Sequence, residues 1–364
     1  MIAPTIVGIS SIIFSIILTS QKTRPISISL AFLPILIFLS LRYNYGNDYK
    51  DYFEIFKEIS ALYEMTYDAD YWHSEIGWLF LNRIFSVFGE SGFFIIIAVL
   101  AIFNCYVYVR FIKKFVPEKY YWLAILLYVF VPDNMLIQSS AMRQSVSISL
   151  FILAAEQIIN RNILKYAAYI YLGSLFHSSA LILLPIYIIG MSNISIKKSW
   201  IPFFIGLYIF LFYASNQTID IIQKLLSTAD SESFVRRYSA YEEKGTLGSG
   251  LGVIFYGIYL SILLLLHDKE SFEVRILYRL VIVGIYLLPF TVQILMLSRV
   301  VYYFSIFSIA AIPIIATKIT STKLRIVFIF AHSAYSVLAY RQFFENEIWK
   351  KAFSEYNTIL GFVF

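Results

Sequence analysis

The sequence is dominated by apolar segments that are long enough to cross a membrane. A helix needs roughly 20 mostly apolar residues to span the ~30 Å hydrocarbon layer, and such segments recur along the whole chain of 364 residues. Only 14% of the residues are charged, whereas an average soluble protein has about 25%. These features exclude a soluble enzyme and a disordered chain. They predict a polytopic membrane protein with a single integral domain over residues 1–364.

We expect an all-α fold with about twelve transmembrane helices. The first apolar segment has no polar region before it and no small-residue cleavage site after it, so we interpret it as a retained helix and not as a signal peptide. The predicted crossings are residues 3–19, 26–41, 92–110, 120–137, 143–160, 162–177, 178–196, 200–215, 249–267, 277–297, 300–317 and 324–341.

The distribution of Lys and Arg sets the expected orientation, because cytoplasmic loops carry an excess of basic residues. If residue 1 lies outside, the inside loops contain 16 of the 29 basic residues but only four of the 23 acidic ones. Two long hydrophilic loops, 42–75 and 216–247, then face the periplasm. Residues 76–88 are apolar but too few for a crossing at about 1.5 Å of rise per residue. We therefore predict a re-entrant or interfacial helix there.

Three arginines lie at the outer ends of predicted crossings, and we expect no matching buried acid for them: Arg42, Arg143 and Arg299. A guanidinium keeps its charge in any environment and binds phosphate oxygens through two N–H groups. Together the three arginines predict a diphosphate site. Taken singly, each of them could instead be a helix-end anchor that extends its charge to the interface.

A reaction at such a site needs a general base, which a carboxylate or a neutral histidine can supply. The candidates are Asp48 and Glu75, in the acidic loop, and His177, at the end of the sixth predicted crossing. The same loop interleaves its acids with tyrosines, a pattern typical of surfaces that bind sugar hydroxyls. The structural alternatives are a solvated loop, an interfacial histidine and a belt of interfacial tyrosines.

Other kinds of chemistry lack the necessary motifs. The sequence has no Gly-rich phosphate loop, no Cys/His cluster with metal-ligand spacing and no G-x-S-x-G elbow. We therefore expect neither a metal nor a cofactor. The net charge of +6 comes from short inside loops, so nucleic acid is not expected as a partner. The single cysteine, Cys105, cannot form a disulfide within the chain.

Five motifs follow one another between residues 42 and 303. With this ordered set the chain resembles the EpsG/Wzy-type exopolysaccharide and O-antigen polymerases of bacterial inner membranes. The closing E-Y-N-T-I-L is only loosely similar to the C-terminal tyrosine segment of that family. The motifs are R-Y-N-Y-G-N-D-Y-x-x-Y (Arg42 to Tyr52), S-E-I-G-W-x-x-L-N (Ser74 to Asn82), M-R-Q-S-x-S (Met142 to Ser147), F-H-S-S-A-L (Phe176 to Leu181) and S-R-x-x-Y-Y (Ser298 to Tyr303).

The resemblance implies a GT-C-like glycosyltransferase that uses lipid-linked sugars and no nucleotide sugar. Such an enzyme moves a growing glycan from undecaprenyl diphosphate to the non-reducing end of a new lipid-linked repeat unit. Single displacement would invert the anomeric carbon, and a covalent intermediate would retain its configuration. The implied partners are the two lipid-linked oligosaccharides, membrane lipid and a chain-length-regulating copolymerase.

The motifs also assign the site residues. Arg143 and Arg299 are the leading diphosphate ligands, with Arg42 third, and the base stays open among His177, Asp48 and Glu75. The candidate substrate contacts are Tyr49, Tyr52, Gln144, Tyr302 and Tyr303.

Three other functions are alternatives. A flippase of lipid-linked sugars would also line a cavity with Arg and Tyr, but transporters often show internal repeats and paired broken helices, and this sequence has one short helix and no repeat. A ligase would keep the same diphosphate site and differ in its acceptor cleft. A membrane O-acyltransferase would favour a histidine deeper in a helix.

Overall fold

The protein is described here by a computed structural model, which covers residues 1–17, 24–61, 75–192, 194–228, 250–291 and 295–361. Most of these residues (84%) are helical, which confirms the predicted all-α class. The chain forms two units. The first contains Met1–Tyr187 and Ile309–Phe364, and the second contains Ile188–Ser308.

The described part of the chain contains eighteen α-helices, four short 3₁₀ helices and two short strands. The helices are α1 (Ile2–Ile17), α2 (Arg24–Leu41), α3 (Tyr49–Ala61), α4 (Ile76–Phe85), α5 (Ser91–Phe115), α6 (Tyr121–Phe130), α7 (Pro132–Met135), α8 (Ile137–Ser140), α9 (Met142–Ile159), α10 (Ile163–Ser174), α11 (Ile186–Met191), α12 (Ile201–Thr228), α13 (Leu251–His267), α14 (Phe272–Thr291), α15 (Leu295–Ser305), α16 (Ser308–Lys318), α17 (Thr322–Glu345) and α18 (Glu347–Ala352). The strands are β1 (Arg42–Tyr43) and β2 (Asn357–Thr358).

Three stretches within the described residues are long and apolar enough to cross a membrane as single helices: Ser91–Phe115, Lys198–Ser215 and Phe272–Thr291. Two bent pairs, Glu118–Phe130 with Pro132–Ser140 and Leu297–Ser305 with Ser308–Lys318, raise the number to five if each pair is one crossing. The chain is therefore an all-α membrane protein with three to five candidate spans by length and composition. The total of twelve crossings stays a prediction.

Proline explains why one predicted crossing is not a continuous helix. The segment predicted at 120–137 bends by 79° between α6 and the short helices α7 and α8. Val131 is extended and Pro132 opens α7. A proline has no backbone N–H to continue the preceding helix, and it disfavours helical geometry at the residue before it.

The loop predicted at 42–75 contains a helix that the sequence analysis did not identify. Residues of α3 recur on one face with helical spacing, and Tyr49, Tyr52, Phe56 and Ile59 are all buried. The charged residues of the helix lie between these buried residues in the sequence. They made the segment as polar as a solvated loop. Residues 62–74 lie outside the described part of the chain.

Two further predictions concern neighbouring segments. The short helix predicted at 76–88 is confirmed as a helix, because α4 and one tight turn (Ser86–Phe88) cover it. The loop predicted at 216–247 begins too early, because α12 continues to Thr228. Residues 229–249 lie outside the described residues.

A hydrophobic core lies beneath the first four motifs. It is formed by the buried face of α3, the start of α9 and the N-terminal half of α5, and it includes Trp78 of α4. Phe93 is fully buried and its ring contacts those of Tyr49, Phe53 and Phe56. This core holds the N-terminal ends of α3, α4 and α9 against one another.

The C-terminal segment is attached to the first motif. Strand β2 pairs antiparallel with β1, so that Arg42 lies opposite Thr358. The Tyr356 ring stacks on Phe38 with centroids 4.6 Å apart, and its hydroxyl donates to the Phe38 carbonyl oxygen at 2.7 Å. The closing E-Y-N-T-I-L thus completes the structure around Arg42.

Replacing Tyr356 with Phe is expected to lower the free energy of unfolding by about 0.5–1.5 kcal/mol, because one buried hydrogen bond is lost while the ring stays. Equilibrium unfolding in mixed micelles measures the change. Tyr171→Phe is the matched control, since the Tyr171 side chain is 62% exposed. An equal effect of the two substitutions would contradict the anchoring role of Tyr356.

Gly46, in the first motif, permits close contact between this segment and α8. Its φ of +118° lies in the region that favours glycine. A Cβ atom at this position would lie 2.7 Å from the carbonyl carbon of Ser139. The next residue donates its backbone N–H to Ser140 Oγ at 2.9 Å.

Gly46→Ala is expected to destabilise the protein by about 1–3 kcal/mol, because it adds backbone strain and a clash with main-chain atoms. The measurement is again unfolding in mixed micelles. Gly250→Ala is the control for strain alone: Gly250 has φ +72° and an added Cβ would meet nothing within 4 Å. If both variants lost the same stability, the close contact with Ser139 would not matter.

Candidate functional site

Two of the sequence-predicted residues form an ion pair at the ends of α4 and α9. Glu75 directly precedes α4, and Arg143 is the second residue of α9. Arg143 Nη1 lies 2.5 Å from Glu75 Oε2, and the two side chains are 24% and 20% exposed. A ligand can therefore reach both groups. We expected no matching buried acid for the three arginines, and the half-buried Glu75 contradicts this for Arg143.

Tyr52 contributes the aromatic side of this site. The Arg143 guanidinium carbon lies 5.7 Å from the centre of the Tyr52 ring, and the Tyr52 ring centre lies 5.0 Å from that of Trp78. Burial raises the pKa of the Tyr52 hydroxyl, while the charge and hydrogen bond of Arg143 lower it and the charge of Asp48 raises it further. The ring thus fixes one face of the guanidinium.

The segment after α10, which carries the fourth motif, also contacts the site. The backbone N–H of Ser178 donates to Glu75 Oε1 at 3.2 Å. The backbone N–H of Gly77 donates to the Leu175 carbonyl oxygen at 2.8 Å. The Glu75 carboxylate therefore accepts from both Arg143 and a main-chain amide, which holds it in one orientation.

His177, the third candidate base, adjoins this contact in the chain. Its Nδ1 atom lies 2.6 Å from Ser179 Oγ, and the side chain is half-buried. His177 is extended and begins a tight helical turn, Ser178–Leu183. The F-H-S-S motif thus supplies both a backbone donor to Glu75 and an imidazole beside it in sequence.

Arg143 has a donor that Glu75 does not use. Its Nε atom is buried and has no hydrogen-bond partner among the residues that the structure describes. Burying a charged donor without a partner is unfavourable, and an acceptor that reached this atom would relieve that cost. Phosphate oxygens are acceptors that match two adjacent N–H groups of a guanidinium.

Arg42 contacts other residues than this ion pair does. It is 2% exposed and donates to the Leu39 carbonyl oxygen and, at 3.5 Å, to that of Gln138. These bonds connect the C-terminal end of α2 to α8. In this position Arg42 holds the first motif in place, and its guanidinium is not presented to solvent.

Asp48 and Gln144 lie next to the site residues in the chain. Asp48 precedes α3 and accepts from Asn47 Nδ2 at 2.9 Å, and its charge acts on the Tyr52 hydroxyl. Gln144 follows Arg143 and is 1% exposed. The Tyr49 side chain is buried in the core below Tyr43 and Phe93.

The fifth motif belongs to the second unit. Arg299, Tyr302 and Tyr303 are all on α15. Tyr303 is fully buried, and Arg299 and Tyr302 are half-buried. Arg143, Glu75, Tyr52 and the His177 segment belong to the first unit.

Several residues that position Arg143 were not predicted. Ser145 and Ser149 of α9 both bind Asn104 of α5: Asn104 Nδ2 donates to Ser145 Oγ at 3.1 Å and Ser149 Oγ donates to Asn104 Oδ1 at 2.7 Å. Paired polar side chains inside an apolar helix bundle hold two helices in register. The signal was present in the sequence as an asparagine in the middle of an apolar segment.

Over the described ranges, no group of three or more His, Cys, Asp or Glu side chains is placed to hold a metal ion. The candidate site is instead a cation, a carboxylate and an aromatic ring at the meeting point of four motifs.

Comparison with known proteins identifies the family. No curated protein and no solved structure matches the chain. The sequence profile of the EpsG family matches residues 26–358, which include all five motifs and the strand β2. The chain belongs to the EpsG family.

Proposed function

We propose that this protein is a polysaccharide polymerase of the glycosyltransferase type, working on lipid-linked sugars at the outer face of a bacterial cytoplasmic membrane. Membership of the EpsG family suggests a polysaccharide polymerase-like membrane protein. The finer proposal is that a growing glycan moves from undecaprenyl diphosphate to the non-reducing end of a new lipid-linked repeat unit.

The observation that carries the proposal is the position of Arg143, which lies between Glu75 and Tyr52. Its Nε–H group has no hydrogen-bond partner among the described residues. In the proposed reaction, an acceptor hydroxyl oxygen bonds to the anomeric carbon as the bond from that carbon to the diphosphate oxygen breaks. The electron pair of the broken bond goes to the departing diphosphate. A guanidinium held beside the leaving group stabilises this growing charge.

We propose Glu75 as the base that takes the proton of the acceptor hydroxyl. Its carboxylate is held by Arg143 and by the backbone N–H of Ser178. A diphosphate that engages Arg143 would compete for the guanidinium and leave a Glu75 oxygen open to the acceptor. His177 and Asp48 are the alternatives, and single Ala variants assayed against pH would separate a base from a packing residue.

The remaining parts of the proposal concern Arg299 and the membrane. Arg299 is proposed as a second diphosphate ligand, with Tyr302 and Tyr303 as substrate contacts. The chain is proposed to form one integral domain of about twelve crossings with a GT-C-like arrangement. A chain-length-regulating copolymerase is proposed as its partner in the cell.

The test is extension of a lipid-linked sugar by the purified full-length protein in lipid nanodiscs. The only substrate is one lipid-diphosphate repeat unit, without nucleotide sugar. We expect a ladder of longer glycans on gels. Unchanged substrate, with protein that is folded by size exclusion and circular dichroism, would overturn the proposal. Movement of the unextended lipid across a vesicle membrane would instead favour a flippase.

A further inference from the structure

A cleft beside α3 lies outside the proposed reaction centre, which is formed by Arg143, Glu75 and Tyr52. It has a volume of about 210 Å³ and is lined by Tyr43, Asn44, Tyr49, Lys50, Phe53, Glu54 and Phe94. We infer that this cleft binds a single pyranose residue of the glycan, at a subsite next to the Arg143–Glu75 pair. The inference rests on the proposed function, since it names a part of the substrate of that same site.

The walls of the cleft are aromatic. The Tyr43 ring lies 6.2 Å from Tyr49 and 6.1 Å from Phe94, and Phe53 lies 6.3 Å from Phe94. Tyr43 is 46% exposed, so one of its faces is open to a ligand. The C–H face of a pyranose ring packs well on such surfaces. An aromatic cleft with a few polar groups is the usual form of a small-ligand site.

Polar groups stand at the rim of the cleft. Lys50, Glu54 and Asn44 are exposed, and Glu54 forms an exposed ion pair with Lys57 at 2.7 Å. An ammonium group donates hydrogen bonds, a carboxylate accepts them and an amide does both. Sugar hydroxyls both donate and accept, so this set matches a hydroxyl-bearing ring better than it matches an apolar lipid chain.

The volume limits the ligand. Pockets for drug-sized molecules have about 300–1,000 Å³, whereas this cleft has about 210 Å³. A whole lipid-linked oligosaccharide does not fit, but one ring with its substituents does. The remainder of the glycan would extend out of the cleft.

The cleft and the reaction centre share a helix. Tyr49 and Phe53 face the cleft, while Tyr52 contacts Arg143. Residues three positions apart on a helix differ by about 4.5 Å along its axis. A glycan held in the cleft therefore lies against the same helix whose Tyr52 contacts Arg143.

This arrangement also explains the density of aromatic residues in the first motif. Backbone alternation along β1 buries Arg42 and turns Tyr43 outward. Tyr45 is buried against Phe353 and Tyr356. The motif thus supplies an anchor, a wall of the cleft and a contact to the catalytic arginine.

The experiment measures binding separately from polymerisation. The probe is the repeat-unit oligosaccharide released from the polysaccharide of the producing cells, one and two units long and without diphosphate. Saturation-transfer NMR and calorimetry with the full-length protein in nanodiscs give the Kd. We expect Tyr43→Ala and Lys50→Ala to weaken binding at least tenfold and Tyr43→Phe to bind within threefold of the natural protein.

Matched variants outside the cleft are Glu58→Ala, on an exposed position of α3, and Tyr171→Ala, on an exposed position of α10. Both are expected to bind as the unaltered protein does. Lys50 is at the exposed rim, so its variant tests the cleft even if Tyr43→Ala fails to fold. Size exclusion and circular dichroism identify folded variants.

The outcomes separate the two proposals. If the unaltered protein binds the oligosaccharide and the cleft variants bind equally well, the cleft assignment is overturned. If the unaltered protein forms a glycan ladder but does not bind the free oligosaccharide, the cleft assignment fails and the polymerase proposal stands. If neither binding nor extension occurs, both fail. Binding that only the cleft variants lose, without any extension, supports the cleft and overturns the polymerase.

Discussion

Arg143→Gln is expected to lower the rate of glycan extension by about 10²–10³-fold, the usual effect of removing one fixed donor to a developing oxyanion. Glutamine keeps a hydrogen-bonding side chain but removes the positive charge that would stabilise the departing diphosphate. The initial rate of ladder formation in nanodiscs measures the effect, and the thermal midpoint of each variant shows that the protein is folded.

Arg143→Lys separates charge from geometry. A lysine keeps the charge but not the planar pair of N–H groups, and it places a smaller cation near the Tyr52 ring. We expect a rate between those of the natural protein and the Gln variant. Equal rates for Lys and Gln would mean that the shape of the guanidinium matters more than its charge.

Arg110→Gln is the matched control for loss of an Arg–Glu pair. Arg110 contacts Glu156 at 2.7 Å, and Glu156 keeps a second partner in Lys114 at 3.1 Å. This pair is outside the candidate site, and the buried Glu156 carboxylate stays paired with Lys114 when Arg110 is replaced, so we expect a rate within about threefold of the natural one. If the Arg143→Gln variant extended glycan as fast as the natural protein, the proposal that Arg143 binds the diphosphate would be wrong.

The residues of the site were more predictable from sequence than their pairing. Arg143, Glu75 and His177 stand out because ionisable residues near membrane depth are costly to bury. Their arrangement depends on how α4 and α9 meet, and nothing in either motif alone specifies that contact. The ion pair between Arg143 and Glu75 therefore appears only in the folded chain.

For the fold too, the positions of elements were easier to predict from sequence than the contacts between them. Apolar segments gave the positions of most helices, since a long apolar run has few alternatives in a membrane. Helix α3 was missed because its charged residues made 42–75 look solvated, although Tyr49, Tyr52, Phe56 and Ile59 have helical spacing. The pairing of β1 with β2 joins residues more than 300 positions apart, and local patterns cannot predict such a contact.

Gly77→Ala is expected to reduce the rate of glycan extension by about 10²-fold, the effect of misplacing reacting groups by about 1 Å. A Cβ atom at this position would lie 2.7 Å from the Leu175 carbonyl oxygen and 2.9 Å from Leu175 Cβ. Helix α4 would therefore have to move away from the segment that donates to Glu75. The measurement is the initial rate of ladder formation, with the Kd for the free repeat-unit oligosaccharide as a second readout.

Gly206→Ala is the matched control, because Gly206 is within α12 and an added Cβ would meet nothing within 4 Å. An alanine in a helix is favoured over glycine by about 0.8–1.0 kcal/mol, so this variant should keep the natural rate and lose no stability. The Gly77 variant should lose rate far more than oligosaccharide binding, since the clash moves Glu75 while the cleft beside α3 has no contact with Leu175. A Gly77→Ala protein that extends glycan at the natural rate would show that the position of Glu75 relative to Ser178 does not control the reaction.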